Sequence, residues 1–348
     1  MVSNSIVDGI NGIIAVVKPL SKYQNRIEGV ESKILYTIPI GDVDEEIITF
    51  SSLEKINEFI LDFLPDAVVF HGVFFKQYKD LSNILYKLGV PYFIEPHCSL
   101  VKEALRKSRF KKWIAINIYL RSFLSKSRGA IFLNEEEKAK SVKKTKRDLC
   151  IPNGIEIERS GRINNKKNTP IKILYLGRID FRHKGIDKLI SIIKRMSKET
   201  NEIEIHIYGG GNEKEVALLK SEVEDINDQR YKFFGVAKGE LKQTILNTYD
   251  IMIMTSRYEG LPVVVLEALS CGMPCIVTPG TNVLNMLVEN KLGWGLHEND
   301  EITSILQAVE EYEKNFEEYH NRTREYAIKN FLWEKIASDS IEKIKKEI

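Results

Sequence analysis

The sequence predicts an α/β protein built from two doubly wound parallel sheets. Three observations predict it. Short apolar runs alternate with helical patterns along the chain. A polar stretch at residues 156–169, rich in Asn, Lys and Arg, divides that alternation into two series. Glycines and charged residues fall just past the carboxyl ends of the runs, where doubly wound sheets hold their ligands. A length of 348 residues suits about two such domains.

In the first series, Ala67-Val68-Val69-Phe70, Pro91-Tyr92-Phe93-Ile94 and Ala130-Ile131-Phe132-Leu133 read as buried strands, with helices over 53–63 and 80–88. Only Ile6-Val7 precede the loop Asp8-Gly9-Ile10-Asn11-Gly12. The first strand is therefore either very short or the chain starts late. In the second series, strands are expected at 171–176, 203–208, 231–234, 251–254 and 275–277, with helices over 185–198 and 213–224. A last helical pattern covers 331–348. The domain reading is 1–158, 159–330 and the terminal helix 331–348.

Composition narrows the classes. Apolar residues make up 43% of the chain, enough for sizeable cores. The net charge of +2 shows no domain-wide basic excess, so a nucleic-acid partner is not expected. The start lacks the basic and apolar regions of a signal peptide, and no apolar run reaches the ~18 residues of a membrane span. A cytoplasmic location is expected. The four cysteines are sparse and read as free thiols. Cys271 and Cys275 have no second pair at zinc spacing. Asp42-Val43-Asp44 has the letters of a metal-binding acidic pair but sits in a polar loop, not after an apolar strand. No metal site and no cofactor are expected.

The residues that carry chemistry lie mostly in the second series. Gly177 ends a strand, Arg178 follows at once, and Lys184-Gly185 precede a helix. Arg178 and Lys184 thus reach the strand's carboxyl end, where a diphosphate would lie. A bidentate Arg and a point-charge Lys neutralise phosphate oxygens. Gly209-Gly210-Gly211 follow the next strand and let backbone approach a ligand; this is not a dinucleotide fingerprint, because Lys214 occupies the third glycine position. Glu259 and Glu267 stand eight positions apart in Tyr258-Glu259-Gly260-Leu261-Pro262-Val263-Val264-Val265-Leu266-Glu267. Gly260 marks a turn, and Pro262 fits the first helical position. Glu259 then precedes a helix N-terminus and Glu267 lies inside the helix. A carboxylate beside a helix N-terminus suits a polyhydroxylated, anionic ligand. Taken alone, such a pair reads as a charged helix face.

In the first series, Glu95-Pro96-His97-Cys98 follows a strand, and His97 could hydrogen-bond a ligand there. Cys98 is not read as a nucleophile, because neighbours in extended chain face opposite ways. His71 reads as core or rim packing. Pro152-Asn153-Gly154 reads as a turn that closes the first domain.

These motifs resemble the GT-B retaining glycosyltransferases of glycosyltransferase family 4, also called glycosyl transferases group 1. The resemblance runs from about residue 66 to the C-terminus. It implies two Rossmann-like domains facing a central cleft, with the terminal helix crossing back onto the first. It implies a nucleoside diphosphate sugar as donor and a saccharide or lipid-linked acceptor. Arg178 and Lys184 would hold the diphosphate and stabilise its developing charge without a metal. Glu259 would bind the sugar and Glu267 the ribose. Gly177, Gly209, Gly211, Val236, Gly260 and Leu261 would border the nucleotide and donor. His97 would sit near the sugar, with Cys98 where the family has glycine. Gly9 and Gly12 would line the acceptor side. Bacterial surface-polysaccharide assembly is the role expected by analogy. A sugar-nucleotide-binding partner subunit without transferase activity is the alternative.

Residues 102–128 carry nine Lys or Arg against Glu103 alone, interleaved with Phe110, Trp113, Ile118, Tyr119 and other apolar residues. An amphipathic cationic helix of this kind would touch an anionic membrane at its inner face. A domain helix with its apolar side in the core and a solvated basic face fits the pattern as well.

Overall fold

In the computed structural model the chain divides into two compact units, Met1–Gly154 with Trp333–Ile348, and Ile155–Leu332. The structure describes residues 2–3, 13–36, 47–49, 52–106, 108–143, 147–157, 167–200 and 202–348. Gly9, Gly12, Ile6-Val7 and Asp42-Val43-Asp44 lie outside the described residues.

The first unit contains a seven-stranded parallel sheet: β1 Val2–Ser3, β2 Ile34–Tyr36, β3 Ile47–Thr49, β4 Val68–His71, β5 Tyr92–Glu95, β6 Gly129–Phe132 and β7 Leu149–Cys150. The strand order is β3-β2-β1-β4-β5-β6-β7, so the order reverses between β1 and β4. The first strand is short, and it sits in the middle of the sheet, ahead of the expected Ile6-Val7. Aromatic packing dominates this core. The Phe70 ring meets Tyr92 edge-on at 5.4 Å and Phe123 at 5.1 Å, while Tyr92 stacks on Phe123. The Tyr92 hydroxyl would be stranded by such burial, and it donates to the Phe123 carbonyl at 2.7 Å. The terminal helix Trp333–Glu347 belongs to this unit, and Gln24 Nε2 donates to Ser340 Oγ across their buried contact at 2.9 Å.

The expected helix over 102–128 is broken. It forms α-helical pieces at Lys102–Arg106, Arg109–Ile114 and Arg121–Lys126, with a π-helical turn at Ala115–Tyr119. Ser108 takes a left-handed conformation (φ +60°) that no α-helix accommodates. Ile116, Leu120 and Phe123 are buried, while Phe110, Trp113 and Ile118 are exposed. The buried residues fit a domain segment with its apolar side in the core.

The second unit contains a six-stranded parallel sheet: β8 Ile171–Leu176, β9 Ile203–Tyr208, β10 Tyr231–Phe233, β11 Ile251–Met254, β12 Cys275–Val277 and β13 Gly293–Gly295. The order is β10-β9-β8-β11-β12-β13. Side chains of β8, β9 and β11 are buried almost throughout, as strands covered on both faces require. The helix Ile186–Glu199 supplies Leu189, Ile190, Ile193 and Met196 to that core. Strand order reverses between β8 and β11, the place where open α/β sheets leave a crevice at their carboxyl edge.

Candidate functional site

The loop after β8 is shaped by short-range hydrogen bonds. The Asp180 carboxylate accepts the Arg182 and His183 amides at 3.1 and 2.6 Å, and the Tyr175 hydroxyl donates to the Arg178 carbonyl at 3.1 Å. The loop ends at Gly185, with φ +67°, and a Cβ there would stand 2.2 Å from the Thr255 carbonyl oxygen. Only glycine lets the loop pass that close to the end of β11. The β9 glycines meet the same loop. A Cβ on Gly209 would lie 1.8 Å from the Gly177 carbonyl oxygen, and the Ile179 amide donates to the Gly210 carbonyl.

The segment after β11 locks onto that loop. Arg257 makes a two-pronged pair with Asp187 at 2.8 and 2.6 Å and also donates to the Phe181 carbonyl. The Arg257 amide donates to the His183 carbonyl, and the Thr255 hydroxyl donates to the Lys184 carbonyl. The Glu259 amide donates to the Gly280 carbonyl, and Asn282 Nδ2 donates to the Glu259 carbonyl at 2.5 Å.

These contacts bring Lys184 Nζ to 2.5 Å from Glu259 Oε1, although 75 residues separate them. Both side chains are mostly buried, at 16% and 11% exposure. Arg178 is half exposed and reaches Asp180 Oδ2 at 3.4 Å. His183 joins the set. Arg178 Nη2 lies 2.9 Å from His183 Nδ1, and an arginine has only donors, so Nδ1 accepts. The ring proton is then on Nε2, which donates to the Tyr258 carbonyl at 2.8 Å, and the imidazole stacks on the Tyr258 ring. Burial lowers the His183 pKa; Glu259 pulls the other way, and Lys184 and Arg178 add to the lowering. The helices Ile186–Glu199 and Val263–Ser270 both start at this place, and their positive ends favour an anion.

The structure thus gathers Arg178, Lys184 and Glu259, with Gly177, Gly209 and Gly211, at the carboxyl edge where strand order reverses. Gly260 and Leu261 follow Glu259 directly. Pro262 is the residue before the helix, in extended conformation, and not its first helical residue. Glu267 belongs to a second pair. Lys242 Nζ donates to Glu267 Oε1 at 2.6 Å, and Oε2 is buried with no hydrogen-bond partner among the described residues. Val236 is half exposed after β10, against Gly210, beside the stacked rings of Tyr208 and Phe234.

His97 lies in the first unit, at the carboxyl end of β5. Its Nε2 is 3.1 Å from His71 Nδ1 and 3.5 Å from Glu95 Oε1; His71 Nδ1 is 3.3 Å from Glu95 Oε2. Burial pushes Glu95 up to about 8, with the Glu137 charge adding to it, and pushes His97 down to about 4. Among the described residues, these three are the set whose ligand atoms lie close enough to share a metal ion.

The sequence reading missed His183, Arg257, Asp187, Asn282, Lys242 and Glu95. His183 stands next to Lys184, and Glu95 stands two residues before His97. For Lys242 and Arg257 no local signal exists, because their partners lie 25 and 70 residues away.

The glycosyl transferases group 1 family model matches residues 156–330. Among curated proteins, an Escherichia coli UDP-Gal:alpha-D-GlcNAc-diphosphoundecaprenol alpha-1,3-galactosyltransferase is 27% identical over 245 residues, 64% of this chain and 60% of the relative. A Salmonella typhimurium lipopolysaccharide 1,6-galactosyltransferase is 30% identical over 113 residues, 32% of this chain and 31% of the relative. Both matches therefore span less than two thirds of the relatives' length. The solved sucrose-phosphate synthase of Thermosynechococcus elongatus superposes with a TM-score of 0.74 at 16% identity, covering 99% of this chain and 98% of that one. That likeness shows the fold, which is GT-B.

Proposed function

The chain belongs to the glycosyl transferases group 1 family, and from that premise we propose that it is a retaining, metal-independent glycosyltransferase of the family 4 type. It moves a hexosyl group from a UDP- or GDP-linked sugar to a saccharide or lipid-linked acceptor in bacterial surface-polysaccharide assembly. The observation that carries the reading is the meeting of Arg178, Lys184 and Glu259 at the reversal of strand order. The E. coli relative's own substrates, a UDP-sugar and a diphosphoundecaprenol-linked sugar, favour the UDP and lipid-linked versions.

Arg178 and Lys184 bind the donor's diphosphate and offset the charge that grows as the sugar–phosphate bond breaks. Fixed cations and helix dipoles in a partly buried site do this without reorganising. Glu259 accepts from the sugar hydroxyls, and Glu267 takes the ribose. Val236 and Phe234 offer an apolar edge to the base. The acceptor oxygen attacks the anomeric carbon from the side the diphosphate leaves. Its proton passes to a phosphate oxygen, and configuration is retained. His97 is the first unit's residue assigned to the sugar. Incubation with UDP- and GDP-sugars and lipid-diphosphate saccharides, without added Mg²⁺ or Mn²⁺, tests the reading. An elongated product with an unchanged anomeric configuration by NMR is expected. Donor binding with no product from any acceptor would favour the partner-subunit reading instead.

The basic segment adds peripheral contact with an anionic membrane. Phe110, Trp113 and Ile118 are 73%, 56% and 66% exposed, among exposed Lys102, Arg109, Lys111 and Arg121. Each cation near such a surface contributes about 1 kcal/mol. Flotation with phosphatidylserine-containing liposomes should carry the protein upward, and the Phe110→Ser/Trp113→Ser double variant should stay behind. Equal flotation of the two would sink the assignment.

A further inference from the structure

We infer that the carboxyl ends of β4 and β5 form a binding site for a divalent cation of the zinc type, held by His71 Nδ1, the Glu95 carboxylate and His97 Nε2. This inference goes beyond the transferase reading, which calls on no metal and shares only His97 with it.

Geometry is the first support. The three donor groups stand 3.1, 3.3 and 3.5 Å apart. Two of these spacings exceed the ordinary hydrogen-bond range. The two imidazoles meet different Glu95 oxygens, and one ligand atom from each of the three residues lies within 4.8 Å of the others, so a small turn of the carboxylate brings all three to one ion. Glu95 and His97 come from the end of β5 and His71 from the end of β4, which pairs with it, so the convergence is a product of the sheet. His71 closes β4, with its carbonyl held by the buried Tyr78 hydroxyl at 2.9 Å. Glu95 closes β5, with its carbonyl held by the Gly72 amide at 2.8 Å. His97 and Cys98 both take left-handed conformations, φ +48° and +63°. Two consecutive non-glycine residues in that region cost about 1–2 kcal/mol each, and such strain persists where a side chain must be aimed. The Cys98 amide is tied down by Glu137 Oε1 at 2.5 Å.

Charge is the second support. His71 is fully buried, and the side chains of Glu95 and His97 are 7% and 13% exposed. A second carboxylate, Glu137, is 1% exposed close by and accepts the Leu133 and Cys98 amides. Among the described residues no Lys or Arg pairs with Glu95 or Glu137. A buried carboxyl group without a cationic partner is either kept neutral by its proton or charged beside a cation. A divalent cation between the two imidazoles and Glu95 takes the place of that proton.

Donor chemistry selects the ion. Two imidazole nitrogens and one carboxylate favour zinc, cobalt or nickel over magnesium or calcium, which take oxygen ligands. Three protein ligands leave a fourth position. Bound through Nδ1, His71 carries its proton on Nε2, a buried atom with no partner among the described residues. A missing outer partner weakens metal binding by about 10–100-fold, so the site should be exchangeable.

The test uses the untagged full chain, stripped of metal by dialysis and titrated with zinc chloride or cobalt chloride alone. One equivalent of cobalt should give the intense visible bands of a four-coordinate ion, and zinc should displace them. Glu95→Gln and His71→Asn should each weaken zinc binding at least tenfold in competition with a chromophoric chelator. Featureless cobalt spectra from folded wild-type protein would overturn the inference without recourse to any variant. So would zinc affinity unchanged in both substituted proteins.

Discussion

The two sheets reverse strand order at equivalent places, yet their carboxyl edges handle charge in opposite ways. In the second unit every named charge has an oppositely charged neighbour: Lys184 with Glu259, Arg178 with Asp180, Arg257 with Asp187, Lys242 with Glu267. Apart from Lys184 and Glu259, which are mostly buried, these side chains keep partial access to solvent, so a ligand can exchange for a partner there at modest cost. In the first unit the polar groups His71, Glu95, His97 and Glu137 are buried and meet one another or backbone amides. Groups held that way do not change partners cheaply. The first arrangement suits an anionic ligand that comes and goes, and the second suits a fixed network or a bound cation.

The largest expected effect is at Lys184. Lys184→Ala removes the cation nearest Glu259 and leaves that carboxylate mostly buried beside one fewer positive charge. Losing one preformed charge-stabilising group from a reaction centre costs about 10²–10³ in turnover. Glycosyl transfer by the variant should fall by that factor while its circular dichroism spectrum is unchanged. Activity within threefold of wild type would break the contrast between the two edges, because Lys184 would then be an ordinary ion pair.

A smaller effect, visible only against pH, is expected at His183. Its folded pKa is lowered, so the folded protein favours neutral imidazole. The groups facing it are Arg178, Lys184, Glu259, Asp180 and the Tyr258 ring and carbonyl. Above the ordinary histidine value, near pH 6.5, both folded and unfolded forms are neutral and the contribution is fully present. As pH falls below that value the unfolded chain takes up the proton first, and stability is lost until the lowered folded pKa is reached. Protonation also sets a cation against Arg178. Donor affinity should therefore fall on the acid side, by up to about tenfold for one lost charge-assisted contact. His183→Asn offers Arg178 an acceptor that does not titrate, so its donor affinity should vary less between pH 7 and pH 5. An acid limb as steep as wild type in that variant would assign the titration elsewhere.

Much of this architecture was legible in the sequence, for a specific reason. Strands β11 and β12 are covered on both faces and appear as uninterrupted apolar runs, while β8 and β9 are predominantly apolar runs interrupted by Lys172 and by Glu204 and His206. The same logic fails at β13, where Gly293-Trp294-Gly295 carries no apolar run, and at β1, which has two residues. The break in residues 102–128 has no proline or glycine to announce it, since Ser108 adopts its left-handed turn through context alone. Arg178, Lys184 and Glu259 could be picked out because each follows a strand end. Their linkage through His183 depends on Tyr258, 75 residues later, and no local pattern carries that information.

Lys242 yields the smallest effect and the finest division of roles. The Lys242–Glu267 pair is 30% and 25% exposed, so its removal should lower stability by only about 0.2–1 kcal/mol. Lys242 engages Oε1 alone, and Oε2 points into protein with no partner among the described residues. If Glu267 takes the ribose, Lys242 fixes the carboxylate through Oε1 without touching the reacting atoms. Lys242→Ala should then raise the donor KM severalfold and leave kcat unchanged, the signature of binding lost equally from ground and transition states. Lys242→Arg, which keeps a donor for Oε1, should restore most of the affinity. A fall in kcat at unchanged KM would place Lys242 beside the leaving group, making it a third cation of the set that Arg178 and Lys184 begin.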